Sequence, residues 1–151
     1  MAEYNSHRIR KVVIATGAVT TFAGSSDGFL DHNTGTSAKF KNPSAVTIVG
    51  GNLYVAEYGN HKIRKIVLSS GAVTTLAGSG DQGSTDGSGT SATFKFPQAI
   101  TTDGTNLYLA DTANNKIRKI VISTGVVTTL AGSGSASSAN GTGPSASFNK
   151  P

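Results

Sequence analysis

Three stretches of this chain are nearly the same: HRIRKVVIATGAVTTFAGS from His7, HKIRKIVLSSGAVTTLAGS from His61 and NKIRKIVISTGVVTTLAGS from Asn115. They recur with a 54-residue period, and the same shift aligns Phe40 with Phe94 and Phe148, Pro43 with Pro97 and Pro151, and Ala2 with Ala56 and Ala110 without a gap. A repeat of this length is one supersecondary unit that cannot bury its apolar face alone, so consecutive copies must stack. The fold therefore follows from what a single period forms.

In the middle period, 45–48 is a β-branched run ending at Gly50-Gly51, and 53–56 resumes with alternating large apolar residues, which predicts two strands joined by a tight hairpin. After Tyr58-Gly59-Asn60, a third strand spans 62–68 and a fourth 72–77, separated by Ser70-Gly71. The stretch 78–91 is too rich in Gly and Ser for a helix, and nowhere do apolar residues follow helical spacing over a useful length. The third strand is apolar on both faces, with Ile63 and Val67 on one and Ile66 and Leu68 on the other, as in a blade sandwiched between neighbours. Radial stacking of four-stranded antiparallel blades is a β-propeller, so the expected class is all-β. Arg64 and Lys65 would reach solvent on long stems.

Composition removes several function classes. With no cysteine there is no disulfide framework, thiolate zinc site or cysteine nucleophile. No apolar run approaches the roughly 20 residues of a membrane-spanning helix, and no leader with a cleavage site is expected. Gly78-Ser79-Gly80 lacks the Gly-Lys-Ser/Thr of a phosphate loop, and no G-x-S-x-G elbow or kinase signature occurs.

LYVAEYGNHKIRKI (53–66) and LYLADTANNKIRKI (107–120), each preceded by P-x-A-[VI], resemble the NHL-repeat β-propellers, and the TGxVTTLAGSG and SAxFxxP segments resemble a long-loop variant of that repeat in bacterial proteins. The Leu of the family signature is replaced by Lys62, and the first copy reads Ser6-His7-Arg8. The resemblance implies that 45–48 and 99–102 are inner strands at a central channel, 53–57 and 107–111 second strands, 8–14, 62–68 and 116–122 third strands, and 18–23, 72–77 and 126–131 outer strands. It also implies a layout of an outer half-blade (1–25), two blades (44–78 and 98–132) and a tail (133–151). The 11-residue segment equivalent to 44–54 or 98–108 has no third copy. Six blades are usual in the family, so two copies of the chain are expected to close a six-blade-like ring in which two positions lack inner strands. A lone copy would leave two apolar blade faces in water, and strand 8–14 would offer an unpaired edge.

The net charge is +5, and nine of the 13 basic residues fall in the third strands: Arg8, Arg10, Lys11, Lys62, Arg64, Lys65, Lys116, Arg118 and Lys119. In a ring they form a belt, with Arg8, Arg10, Lys62, Arg64, Lys116 and Arg118 as candidate contacts to an anionic polymer. No aromatic residues for base stacking accompany them, so a solubilising role is preferred over nucleic-acid binding. Glu3, Glu57 and Asp111 are equivalent and precede the turns that hold Asn60 and Asn114; a turn role, accepting backbone N–H groups within the same turn, is preferred over calcium binding. His7 and His61 align with Asn115, and His32 with Asp86 and Asn140, while the inner strands supply one carboxylate, Asp103, so metal catalysis and a metal cofactor are not expected. Asp27, Asp31, Asp81 and Asp86 lie in Gly-Ser connections whose third copy carries Ser135 and Asn140, which argues against a required ion. The expected function is a non-catalytic scaffold, without cofactor, that associates with itself and binds a protein or glycan. The alternatives are an enzyme resembling the metal-dependent lactonase or lyase propellers and RNA or DNA binding through the basic belt. The family context implies an exported bacterial parent.

Overall fold

Short β-branched runs separated by glycine turns condense into three antiparallel sheets. The computed structural model describes residues 1–151. The first sheet holds β1 (Ala2–Glu3), β2 (Arg8–Val12) and β3 (Val19–Ala23). The second runs β4 (Pro43–Val49), β5 (Asn52–Glu57), β6 (Lys62–Val67) and β7 (Val73–Ala77) in sequence order. The third contains β9 (Pro97–Thr102), β10 (Asn106–Asp111), β11 (Lys116–Val121) and β12 (Val126–Ala131), with a two-residue strand, β8 (Gly87–Ser88), added outside β12. The only helical pieces are single 3₁₀ turns at Gly35–Ser37, Gly89–Ser91, Thr112–Asn114 and Gly143–Ser145. The class is all-β and the units are propeller blades, with strand ends within about two residues of those read from sequence.

The hairpin between β4 and β5 shows why the local chemistry works. Val49 pairs with Asn52 across Gly50 and Gly51, whose φ angles of 56° and 74° are those of a type I′ turn. Each third strand meets its outer strand through a bulge, at Ile9/Arg10, Ile63/Arg64 and Ile117/Arg118. The extra residue lies on the outer strand, at Phe22, Leu76 and Leu130, and raises the local twist.

Two apolar clusters sit between sheets rather than within them. Ile9, Ala23, Ala38 and Phe40 pack against Leu53, Val55, Ile66 and Val73. The next junction repeats the arrangement, with Tyr54, Ala56, Ile63, Ala77 and Phe94 against Leu107, Leu109, Ile120 and Val127. Every blade thus presents one face forward and a different one backward, so both faces of a central blade are covered while each terminal blade keeps one in the open.

The long loops do more than cross between blades. Loop 24–38 bridges to the outer strand of the following blade, His32 exchanging backbone hydrogen bonds with Val73, and loop 78–92 does so by pairing Gly87 and Ser88 with Val127 and Val126. Simple Gly-Ser connections are therefore the wrong picture: each loop clamps the next blade's edge, capping backbone groups that an outer strand would otherwise leave bare.

Candidate functional site

Lys62, Arg64 and Ile66 share one face of β6, and that face looks into the junction. Arg64 and Arg118 are wholly buried, which corrects the expectation that Arg64 brings its charge to solvent. Arg64 Nη1 donates to Glu57 Oε2 at 2.9 Å and to the Lys39 carbonyl at 3.2 Å; Nη2 donates to the Leu30 carbonyl at 2.9 Å and to the Asp31 carboxylate. Arg118 repeats the set with Asp111 at 2.8 Å, the Thr93 carbonyl at 3.1 Å, the Thr85 carbonyl at 2.9 Å and Asp86 at 2.8 Å. The guanidinium planes lie near Phe40 and Phe94, at 5.0 and 5.3 Å from the ring centres. Burying a guanidinium is costly unless it is paired, and here both Nη atoms of each arginine meet acceptors while Nε has none, so that each clasp ties a blade's own carboxylate to the loop of the preceding repeat.

The belt is consequently dispersed. Lys62 is buried and donates to the carbonyls of Gly78 and Ser79 at 3.1 and 2.6 Å. Lys116 reaches Ser84 Oγ at 2.7 Å, Arg10 pairs with Glu3 at 3.0 Å, and Arg8 stays near the surface beside the Ser25 carbonyl. Arg64 and Arg118 are therefore unavailable to a phosphate backbone, because their charge is already matched inside the protein.

Glu57 and Asp111 keep a structural role but with different partners from those expected. The backbone N–H each accepts comes from outside its turn, from Lys41 at 2.8 Å and Lys95 at 2.7 Å. Asn60 and Asn114 supply the link within the turn, donating to Glu57 at 2.6 Å and Asp111 at 2.8 Å and also to the loop carbonyls of Gly28 and Gly83. Burial pushes both carboxyls up, opposed by the guanidinium and the N–H donors around them. Glu3 lacks the amide partner because Ser6 stands where Asn60 and Asn114 do.

The histidines are acceptors. His7 Nδ1 takes the N–H of Asn42 at 3.1 Å and His61 Nδ1 that of Phe96 at 3.2 Å, while Asn115 Oδ1 takes that of Lys150 at 3.0 Å. Asparagine takes the place of histidine here by supplying the same single acceptor atom. Nowhere do three or more His, Asp or Glu side chains gather as a metal would require. Asp103, expected at the channel end of an inner strand, sits in the exposed β9–β10 turn instead, accepting N–H bonds from Thr105 and Asn106 at 2.8 and 2.6 Å. Hydrogen bonds from Asn106, Tyr108 and Thr105 hold its carboxyl well below the usual range. His32 is likewise not the counterpart of Asp86: Asp31 holds that place, one residue earlier.

Tyr4 and Tyr58 stack edge to face with ring centres 5.6 Å apart, and Phe96 continues the row 4.7 Å beyond Tyr58. Beside them lies an open depression of about 340 Å³ lined by Tyr4, Ser44, Tyr58 and Gln98, where the inner strands begin. Sequence reasoning passed over this row, since only two of the three equivalent positions, Tyr4 and Tyr58 but not Thr112, are aromatic.

Residues 40–66, which hold Glu57, Asn60 and Arg64, match the NHL repeat. That stretch is an NHL repeat. The human NHL repeat-containing protein 2 is 34% identical over 143 residues, an alignment covering 86% of this chain and 20% of that protein. Among solved structures, a Bacteroides thetaiotaomicron protein of unknown function superposes with a TM-score of 0.72 at 24% identity, over 97% of this chain and 36% of its own. An auxiliary nutrient binding protein from Bacteroides ovatus gives 0.68 at 23%, over 99% and 38%. The NHL chain described here thus spans a fifth of the human relative's length and just over a third of each of those structures.

Proposed function

We propose that this 151-residue chain is a non-catalytic NHL-repeat scaffold that reaches its working form by self-association, two copies completing one six-blade-like ring. One observation carries the reading. Tyr54, Ala56 and Ile63 are buried by the next blade, whereas their counterparts Tyr108, Ala110 and Ile117 on the last blade are half-exposed, an apolar face made for a following blade. Catalysis is disfavoured because Glu57 and Asp111, the buried carboxylates, are spent in ion pairs with Arg64 and Arg118.

The ligand face of the scaffold is the mouth built by Tyr4, Tyr58, Ser44 and Gln98, whose aromatic planes and amide suit a glycan or a protein segment. Light scattering coupled to size exclusion, over a concentration series, tests the assembly. A mass near twice the 15.3 kDa chain supports the reading, and a monomer at every concentration overturns it.

A further inference from the structure

We propose that residues 139–148 of one copy dock on β2 and β3 of a second copy, with Arg10 as the central donor and Asn140 as the residue that sets the strength of the seam. This inference rests on the self-association reading and names the surfaces that meet.

The two junctions inside the chain are the template. In each, a loop offers two carbonyls to an arginine of the next blade, Leu30 and Lys39 to Arg64, Thr85 and Thr93 to Arg118. Those carbonyl pairs are set by a bridge across the loop, Lys39 N–H to the Leu30 carbonyl at 3.2 Å and Thr93 N–H to the Thr85 carbonyl at 3.1 Å. Loop 132–148 has the same bridge, Ser147 N–H to the Ala139 carbonyl at 3.0 Å, and so holds the same pair of carbonyls ready with no arginine against them. Phe148, counterpart of the fully buried Phe40 and Phe94, is half-exposed beside them.

The first blade has the reciprocal gap. Arg10 occupies the place of Arg64 and Arg118 but its guanidinium is hydrogen-bonded to Glu3 alone. Val12 and Val19 are 45% and 49% exposed where Ile66, Ile120, Val73 and Val127 are buried. Seating the loop would put the Ala139 and Ser147 carbonyls on Arg10, Gly141 against Val19, and Phe148 under the guanidinium. Such a head-to-tail contact uses two different surfaces and can close into a ring.

One feature differs from the template. The residue after the first carbonyl is an aspartate inside the chain: Asp31 pairs with Arg64 and accepts the Thr75 N–H at 3.0 Å, and Asp86 pairs with Arg118 and accepts the Thr129 N–H at 3.1 Å. In the third loop it is Asn140, facing Arg10 and Thr21 of the partner copy. An amide oxygen makes the same hydrogen bonds without the charge, so the seam between copies is the weakest junction of the assembly and the one that opens reversibly.

The test is a gain of affinity, which loss of folding does not mimic. The self-association constant of the intact chain is measured by sedimentation over a dilution series for the parent and for Asn140→Asp, Arg10→Met and their combination. Asn140→Asp is expected to tighten association about 3- to 10-fold at low salt, with most of the gain lost in high salt and none of it remaining with Arg10→Met. If the chain associates but Asn140→Asp changes nothing, or tightens equally with Arg10→Met, the seam is wrong and self-association stands. If parent and variant both remain monomeric, both readings fall.

Discussion

Asp31 and Asp86 do the same work although 55 residues separate them in a chain whose period is 54. Each carboxylate reaches back to the arginine of the following blade and caps a threonine N–H on its outer strand, Thr75 or Thr129. Loop 24–38 carries one residue fewer before the aspartate and one more after it, so the shift cancels before Gly35 and Gly89 and leaves the gapless alignment intact. The contact is kept and the register is not, because the geometry of the arginine fixes where a carboxylate must stand.

Removing one partner of a buried pair exposes its cost. Arg64→Leu leaves Glu57 charged and enclosed, and is expected to destabilise by about 3–5 kcal/mol in urea unfolding. The double variant with Glu57→Leu should recover part of that loss, since no unmatched charge then stays inside. Equal loss in both would mean that the ion pair is not what the clasp contributes.

Stability should fall as the solution becomes mildly acidic. Burial holds the His61 imidazole below its usual value, with Lys41 and Lys95 acting in the same direction and Asp111 opposing. The neutral ring is what accepts the Phe96 N–H. The unfolded chain takes up a proton near pH 6.5 and the folded one only lower, so this contribution is complete above about pH 6.5 and declines as pH falls through the folded value. His61→Asn, which copies Asn115, should flatten the melting temperature between pH 7 and pH 5.

Gly78 sits at a φ of 101° with the space for a Cβ only 2.5 Å from the His61 carbonyl oxygen. Gly78→Ala is expected to cost more than about 1 kcal/mol. Gly50 also has a positive φ but nothing within 4 Å, so Gly50→Asn, a residue at home in type I′ turns, should stay within about 0.5 kcal/mol. Thermal melts of the two variants separate backbone strain from steric collision.

Asp86 holds loop 78–92 to β12 from a half-exposed position. Asp86→Asn should therefore cost no more than about 1 kcal/mol globally while speeding hydrogen exchange at the Thr129 amide. Desolvation raises the Asp86 carboxyl, but the Thr129 N–H and hydroxyl and the Arg118 guanidinium outweigh it and leave it below its usual value. Its contribution is thus present above about pH 4 and lost as pH drops further, and exchange at Thr129 in the parent should rise over that window.

The repeat by itself determined the strands, their order and the need for blades to stack, because period-two alternation and glycine turns are local properties that each copy states again. Ile63 and Ile66 could be assigned to opposite faces from spacing alone. The fate of Arg64 could not: an arginine in a strand reads as solvent-seeking until the carbonyls of Leu30 and Lys39 and the carboxylates of Asp31 and Glu57 arrive from other parts of the chain. For the same reason the glycine-rich loops read as connectors, and His61 had no assigned role, until packing gave each a partner. Whether a charge is matched depends on which distant groups surround it, and that is decided only when one blade closes on the next.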